Sequence, residues 1–169
     1  LKLNEREEAV SEIAVRDAFE NDLAMIHEVL LEAFHPYRIH YTKEAYDITV
    51  CSPQEMKRRL DDDRFKILVA EYGGQIVGTA TMKIKEKGIL YLSSMAVKPA
   101  VQGKGVGYHL LKAIEQRARK KRCSRIILEC CEFLRLAIGL YIRVGYERTG
   151  NKRPYYGIEV FEMQKRLSA

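Results

Sequence analysis

The chain has no tryptophan, only four cysteines and no long apolar run. Cys51, Cys123, Cys130 and Cys131 form no CxxC pair and have no histidine at metal-ligand spacing. The adjacent Cys130 and Cys131 cannot easily bridge each other. Zinc and a disulfide framework are therefore set aside, no metal is expected, and the thiols are expected to be buried and reduced, as in a cytoplasmic protein. The longest near-continuous apolar stretch, Leu136 to Ile142, is broken by Gly139 and falls far short of the ~20 residues of a membrane span. No basic segment followed by an apolar one is seen at the start, so secreted and membrane readings are set aside and the cytoplasm is the expected location. Repeats, linkers and low-complexity tracts are also missing.

What is there is an ordinary globular composition, 47% apolar and 31% charged over 169 residues. That length predicts a single domain over 1–169, burying roughly 70% of the surface its unfolded chain would expose. Residues 1–10 are polar and are expected to be a helical or frayed extension. The net charge of +6 hides an asymmetry. Residues 1–63 hold 8 Lys and Arg against 15 Asp and Glu, whereas residues 64–169 hold 21 against 8. The basic part points to a polyanionic ligand, a phosphate-bearing cofactor or nucleic acid. The acidic part would attract a cationic substrate or serve only as a solvated face.

The pattern predicts an α+β fold: a mixed, mostly antiparallel central sheet flanked by helices, in the order βααβββαβαββ. Ile13–Arg16 reads as a strand, and Leu23, Ile26, Leu30 and Ala33 mark an amphipathic helix that Pro36 stops. The His- and Tyr-rich stretch 35–50 reads as a loop or irregular helix. Ser52-Pro53-Gln54-Glu55 carries an N-cap, a first-turn proline and a capping-box Glu, opening a helix to about Leu60. Phe65–Tyr72 and Gln75–Lys85 around Gly73-Gly74 read as a β-hairpin. Lys87-Gly88 turns the chain into Ile89–Val97, completing an antiparallel meander. A helix follows from about Gly105 to Lys121. Arg125–Cys131 is then a strand, Phe133–Val144 a helix, and Tyr146–Thr149 and Gly157–Lys165 closing strands.

The segment between Val97 and Gly107 carries most information. Alternating glycines after a strand and at a helix start let backbone N–H groups converge on a pyrophosphate, aided by the helix dipole. A P-loop would need Gly-x-x-x-x-Gly-Lys-Ser/Thr, which is absent. A Rossmann turn would lie between parallel strands with an acidic residue about twenty positions on; here that region is Lys121-Arg122-Cys123-Ser124-Arg125.

Gln102-Gly103-Lys104-Gly105-Val106-Gly107 instead resembles the acetyl-CoA signature Gln/Arg-x-x-Gly-x-Gly/Ala of the GCN5-related N-acetyltransferases. Met95-Ala96-Val97-x-Pro99 is similar to that family's lead-in, and Ala137-x-x-Leu140-Tyr141-x-x-x-Gly145-Tyr146 to its later motif. The resemblance covers residues 13–165. It implies acetyl-CoA as cosubstrate, with the backbone of Met95, Ala96 and Val97 along the pantetheine arm. The amides from Gln102 through Gly103, Lys104, Gly105 and Val106 to Gly107 would hold the pyrophosphate. Ala137 would lie beside the cofactor and Arg143 would contact a phosphate.

Acetyl transfer to an amine needs a deprotonated nucleophile, a stabilised carbonyl oxygen and a proton for the leaving thiolate. An amine of pKa ~10.4 is neutral in only about one molecule in 2,500 at pH 7, so a base helps. By its place in the second motif Tyr141 is the expected acid. Glu129 is the expected base, because its spacing to Tyr141 resembles that of bacterial ribosomal-protein alanine acetyltransferases. Ser93 and Ser94 are alternatives for ordering a water. A backbone N–H near Val97 would hold the oxyanion. Leu134 stands where the family often has Asn, a departure that removes one polar contact. His35, Tyr37, His40, Tyr41 and Tyr46, with Glu44 and Asp47, crowd the loop where the family builds its acceptor wall. His35, Tyr37, Tyr41 and Ser93 are thus the expected substrate contacts.

The expected function is an acetyl-CoA-dependent N-acetyltransferase acting directly on a primary amine: a small amine or polyamine, a protein N-terminus or a lysine. The acidic first part tilts this toward a cationic acceptor. The alternative is a non-catalytic acyl-CoA-binding sensor or interaction module on the same fold. The basic run Lys112–Arg125 reads as a solvated helix end, a 3′-phosphate contact or a nucleic-acid patch. Nucleic acid is the least favoured, since aromatics do not interleave with the run. A homodimer is compatible with this reading, and no membrane partner is expected.

Overall fold

The computed structural model describes residues 12–85 and 88–168. The expected helical or frayed start at 1–10 and Lys87 of the expected turn lie outside them. Strand β1 (Ala14–Asp17) is followed by helices α1 (Leu23–Phe34), α2 (Lys43–Thr49) and α3 (Pro53–Leu60). The meander β2 (Phe65–Tyr72), β3 (Gln75–Lys85) and β4 (Ile89–Val97) comes next. Helix α4 (Val106–Lys120), strand β5 (Arg125–Cys130), helix α5 (Arg135–Arg143) and the hairpin β6 (Glu147–Tyr155) and β7 (Ile158–Arg166) complete the chain. The seven strands form one sheet in the order β1-β2-β3-β4-β5-β7-β6, antiparallel except for the parallel β4–β5 pair.

The α+β class holds, and the order gains one helix over that expected. Of the two readings of stretch 35–50, loop or irregular helix, the second holds: a 3-10 turn, His35–His40, is followed by α2. Thr42 caps α2 by accepting from the Ala45 N–H at 3.1 Å. The Ser52 hydroxyl likewise accepts from Glu55 at the start of α3.

Strand alternation divides the core between the two faces. Leu68, Ala70, Leu90, Leu92, Ile126 and Leu128 pack with Val106, Leu110 and Ile114 of α4. Ile67 and Val69 pack with Ile26, Val29 and Leu30 of α1 and Met56 of α3. Gly78 of β3 lets α4 sit close, because a Cβ there would lie 2.9 Å from Val106 Cγ1.

A bulge in β4 breaks this alternation. Ser93 pairs with Thr81, yet Ala96 pairs with Thr79, so β4 carries one extra residue, and Ser94 adopts φ +47°. A single extra residue reverses the facing of everything after it. Leu90 and Leu92 face α4, but Ala96 joins the α1 side, while Met95 and Val97 pack toward α4.

Candidate active site

Strands β4 and β5 pair only over Ile89–Leu92 with Arg125–Leu128. Beyond the bulge each continues without the other, to Val97 and Cys130, and the sheet opens as a V. The gap leads into a 1160 Å³ cavity reaching both faces of the fold. Small-ligand pockets run to about 1,000 Å³, so the space suits a long ligand.

One end of the cavity is built from backbone. Gly103 (φ +82°) and Gly105 (φ +90°) hold conformations that side chains resist, and a Cβ at Gly103 would meet nothing within 4 Å. The first N–H groups of α4, at Val106, Gly107 and Tyr108, have no acceptor in the helix itself. Gly107 allows α5 to close on this turn, since a Cβ there would lie 2.6 Å from Leu140 Cδ2. The Gln102 side-chain amide donates to the Val97 carbonyl at 3.3 Å, tying the turn to the end of β4. A bare, donor-rich cradle at a helix N-terminus fits a pyrophosphate.

Met95, Ala96, Val97, Gln102, Gly103, Gly105, Val106, Gly107, Ala137 and Arg143 all line the cavity. Lys104 does not. Its N–H turns back to the Val101 carbonyl at 3.4 Å, and its exposed side chain lies over the Tyr72 ring at 5.9 Å.

Tyr141 of α5 lines the cavity from the α4 side of the sheet, tilted against Tyr146 with ring centroids 5.7 Å apart. Burial, with Cys130 and Tyr146 alongside, raises its phenol well above the ordinary value, so the proton stays on it. Cys130 and Cys131 also face the cavity, where burial pushes their thiols up to about 12 and about 11 respectively. Thiols held in that form are poor nucleophiles. Leu134 lines the cavity too, keeping that position apolar.

Glu129, near the end of β5, reaches the wall but meets Arg153 of β6 at two points, 2.9 Å at Nε and 2.6 Å at Nη2. Both carboxylate oxygens are thus engaged. Burial, with the Glu129 carboxylate alongside, pushes the neighbouring Tyr91 phenol up to about 12.

The far wall is aromatic. Tyr37, His40 and Tyr41 gather round Phe133 at 6.2, 5.0 and 5.0 Å. Tyr37, Tyr41 and Ser93 line the cavity as expected, but His35 is exposed and stands off it. His35 opens the 3-10 turn straight out of α1, and His40, at the end of that turn, stacks on Phe133 but is likewise exposed and does not line the cavity. Sequence reasoning missed Arg59, Lys83, Lys85, Tyr91 and Arg153, which also line the cavity. Lys83 and Lys85 alternate with Met82 and Ile84, a period-two signal that was readable. Arg153 had none.

Among the described residues no helix is long and apolar enough to cross a membrane, and no cluster of His, Cys, Asp and Glu could hold a metal. The Acetyltransferase (GNAT) domain family matches residues 8–167. Over 82 residues the chain is 37% identical to the uncharacterized N-acetyltransferase YjgM of Escherichia coli K12, covering 47% of this chain and 49% of that one. The match therefore spans about half the length of that relative. A PaiA N-acetyltransferase from Thermoplasma acidophilum, solved with coenzyme A, superposes with a TM-score of 0.76 at 21% identity, covering 92% of this chain and 99% of that one. A ribosomal-protein-alanine N-acetyltransferase from Brucella melitensis does so with a TM-score of 0.71 at 25% identity, covering 91% and 99%. With the signature turn, the split sheet and a family match over nearly its whole length, the chain belongs to the GNAT acetyltransferase family.

Proposed function

We propose that this chain is an acetyl-CoA-dependent N-acetyltransferase that transfers directly to a primary amine. Continuity of the site carries the reading: one cavity is lined by the glycine cradle, by Tyr141 and Glu129, and by the aromatic wall. Acetyl-CoA, when bound, supplies an acetyl group activated as a thioester. The N–H groups of Val106, Gly107 and Tyr108 at the start of α4 hold its phosphates in the space that Gly103 and Gly105 leave open, with Arg143 adding charge at the end of α5. The backbone of Met95, Ala96 and Val97 borders the pantetheine arm.

Tyr141, kept protonated by burial, donates to the departing thiolate. Glu129 takes the amine proton, directly or through a water ordered by Ser93 and Ser94, after one of its oxygens is released from Arg153. The protonated Cys130 and Cys131 argue for transfer without an acetyl-enzyme. Four free, buried thiols favour a reducing, cytoplasmic setting.

The test is release of CoA thiol from acetyl-CoA across a panel of amines, polyamines and peptides. Tyr141→Phe and Glu129→Gln are each expected to lower kcat by about tenfold or more, with folding retained by circular dichroism. Acceptor-dependent release by Tyr141→Phe at the parent rate would remove the tyrosine's role. Acetyl-CoA binding without turnover of any amine would favour a sensor on this fold.

A further inference from the structure

We propose that the acceptor is an amine carrying an anionic group of its own, a carboxylate or phosphate, which Lys83 and Arg59 hold at the end of the cavity away from the glycine cradle. This rests on the acetyltransferase reading and names its acceptor class.

Charge on the cavity wall is one-sided. Arg59, Lys83, Lys85, Arg143 and Arg153 line it, against one carboxylate among the described residues, Glu129. Arg153 is already matched by Glu129. Arg143 lies one turn beyond Leu140, the residue touching Gly107, and so belongs to the cradle. Lys83 and Lys85 stand too far off to serve the phosphates there, and Arg59 is tied to Glu55 and Ser94. Lys83 pairs with Tyr91, six residues before Val97, and at ~3.3 Å per residue that is about 20 Å from the strand end leading to the cradle.

These remaining cations converge rather than scatter. The Arg59 guanidinium of α3 and the Lys83 ammonium of β3 both stand over the Phe65 ring, at 5.8 and 4.9 Å. Lys85 stands over Tyr91 at 4.5 Å. Arg59 is held in place by Glu55 at 3.1 Å and by donating to the Ser94 hydroxyl at 3.2 Å, at the β4 bulge. Glu55 is shared with Arg58. Lys83 and Lys85 have no carboxylate partner among the described residues. Like charges gathered over a half-buried apolar floor attract an anion and repel a polycation.

The same field acts on the amine. Nearby cations favour its neutral, nucleophilic form, which matters where Glu129 is occupied by Arg153. The acidic residues of the first part do not offset this: no carboxylate among the described residues 12–63 lines the cavity. This acceptor class runs against the tilt toward a cationic acceptor expected from the charge of the first part.

Matched acceptor pairs test this: phenylalanine against phenethylamine for the carboxylate, and O-phosphoethanolamine against ethanolamine for the phosphate. Spermidine and a C-terminally amidated peptide with a free N-terminus and no acidic side chain serve as controls. In at least one pair the anionic member is expected to lead in kcat/KM by about tenfold or more at low salt. Lys83→Gln is expected to narrow that lead at least about fivefold, Lys83→Arg to restore it, and added salt to weaken it. Equal or better use of the plain amines or spermidine would overturn the inference, as would a lead unchanged in Lys83→Gln. Turnover of spermidine or the peptide alone would leave the acetyltransferase standing and remove only this acceptor class. Refusal of every amine with acetyl-CoA still bound, measured by calorimetry, would also remove it. Absence of acetyl-CoA binding would instead bring down the underlying reading.

Discussion

The two ends of the cavity are made of different material. The end proposed to hold the cofactor is backbone: a few consecutive residues, Gln102 to Tyr108, with glycines at positive φ and unpaired N–H groups at the start of α4. The end proposed for the acceptor is side chains: Tyr41, Arg59, Lys83, Tyr91, Glu129 and Arg153, drawn from six segments of the chain. A backbone site tolerates side-chain change but not a change of φ. A side-chain site can be rebuilt one residue at a time, which is how one fold serves many acceptors.

The sharpest contrast should come from paired glycine variants. Gly105→Ala and Gly74→Ala each place a side chain at positive φ, +90° and +76°, costing about 1–2 kcal/mol apiece. Both are expected to lose a few degrees of melting temperature. Only Gly105→Ala is expected to lose acetyl-CoA affinity, by about tenfold or more on calorimetry. Equal affinity losses would break the comparison, because strain rather than the cradle would then be responsible.

A smaller effect separates useful strain from incidental strain. Ser94 and Arg122 are non-glycine residues at φ +47° and +55°. Arg122 follows the end of α4, a position where glycine is common. Arg122→Gly should release about 1 kcal/mol, seen as a gain of roughly 2–4 °C. Ser94→Gly relieves similar strain but removes the hydroxyl that accepts from Arg59. A lesser gain and a severalfold fall in acceptor kcat/KM are expected. An unimpaired Ser94→Gly enzyme would detach the bulge from the acceptor end.

The smallest effect is on acid stability. Arg58 and Arg59 hold the Glu55 carboxyl down at about 2. A depressed folded value means the contribution is full above the unfolded value of ~4.5 and is lost as pH falls through about 2. Glu55 is 36% exposed at its side chain, so solvent screening leaves the pair below about 1 kcal/mol. Glu55→Gln should flatten the unfolding-versus-pH curve between those values. No change there would mean that Arg59 is positioned without Glu55.

Legibility followed the same division. The cradle was readable because glycine identity encodes positive φ locally, and the hairpin at Gly73-Gly74 was readable for the same reason. The α3 cap was readable because Ser52 and Glu55 are three residues apart. Helix α2 was hidden: seven residues with only Ala45 and Tyr46 buried give no helical period. Strand β6 ran to Tyr155, beyond the expected Thr149, because an exposed edge strand shows no apolar alternation. The Glu129–Arg153 pair joins residues 24 apart across the intervening β7. Only the sheet order brings them together, and no spacing rule anticipates it.

The split between β4 and β5 has a mechanical side. Four residue pairs are all that stitch the β1–β4 plate to the β5–β7 plate along that seam. A ligand lying in the V and touching the cradle on one side and α5 on the other acts as a rivet across it. At a hundredfold excess over its Kd, such a ligand adds about 2.7 kcal/mol to the folded state. Survival of the folded chain, and so its abundance, would rise and fall with the supply of the molecule that closes the seam.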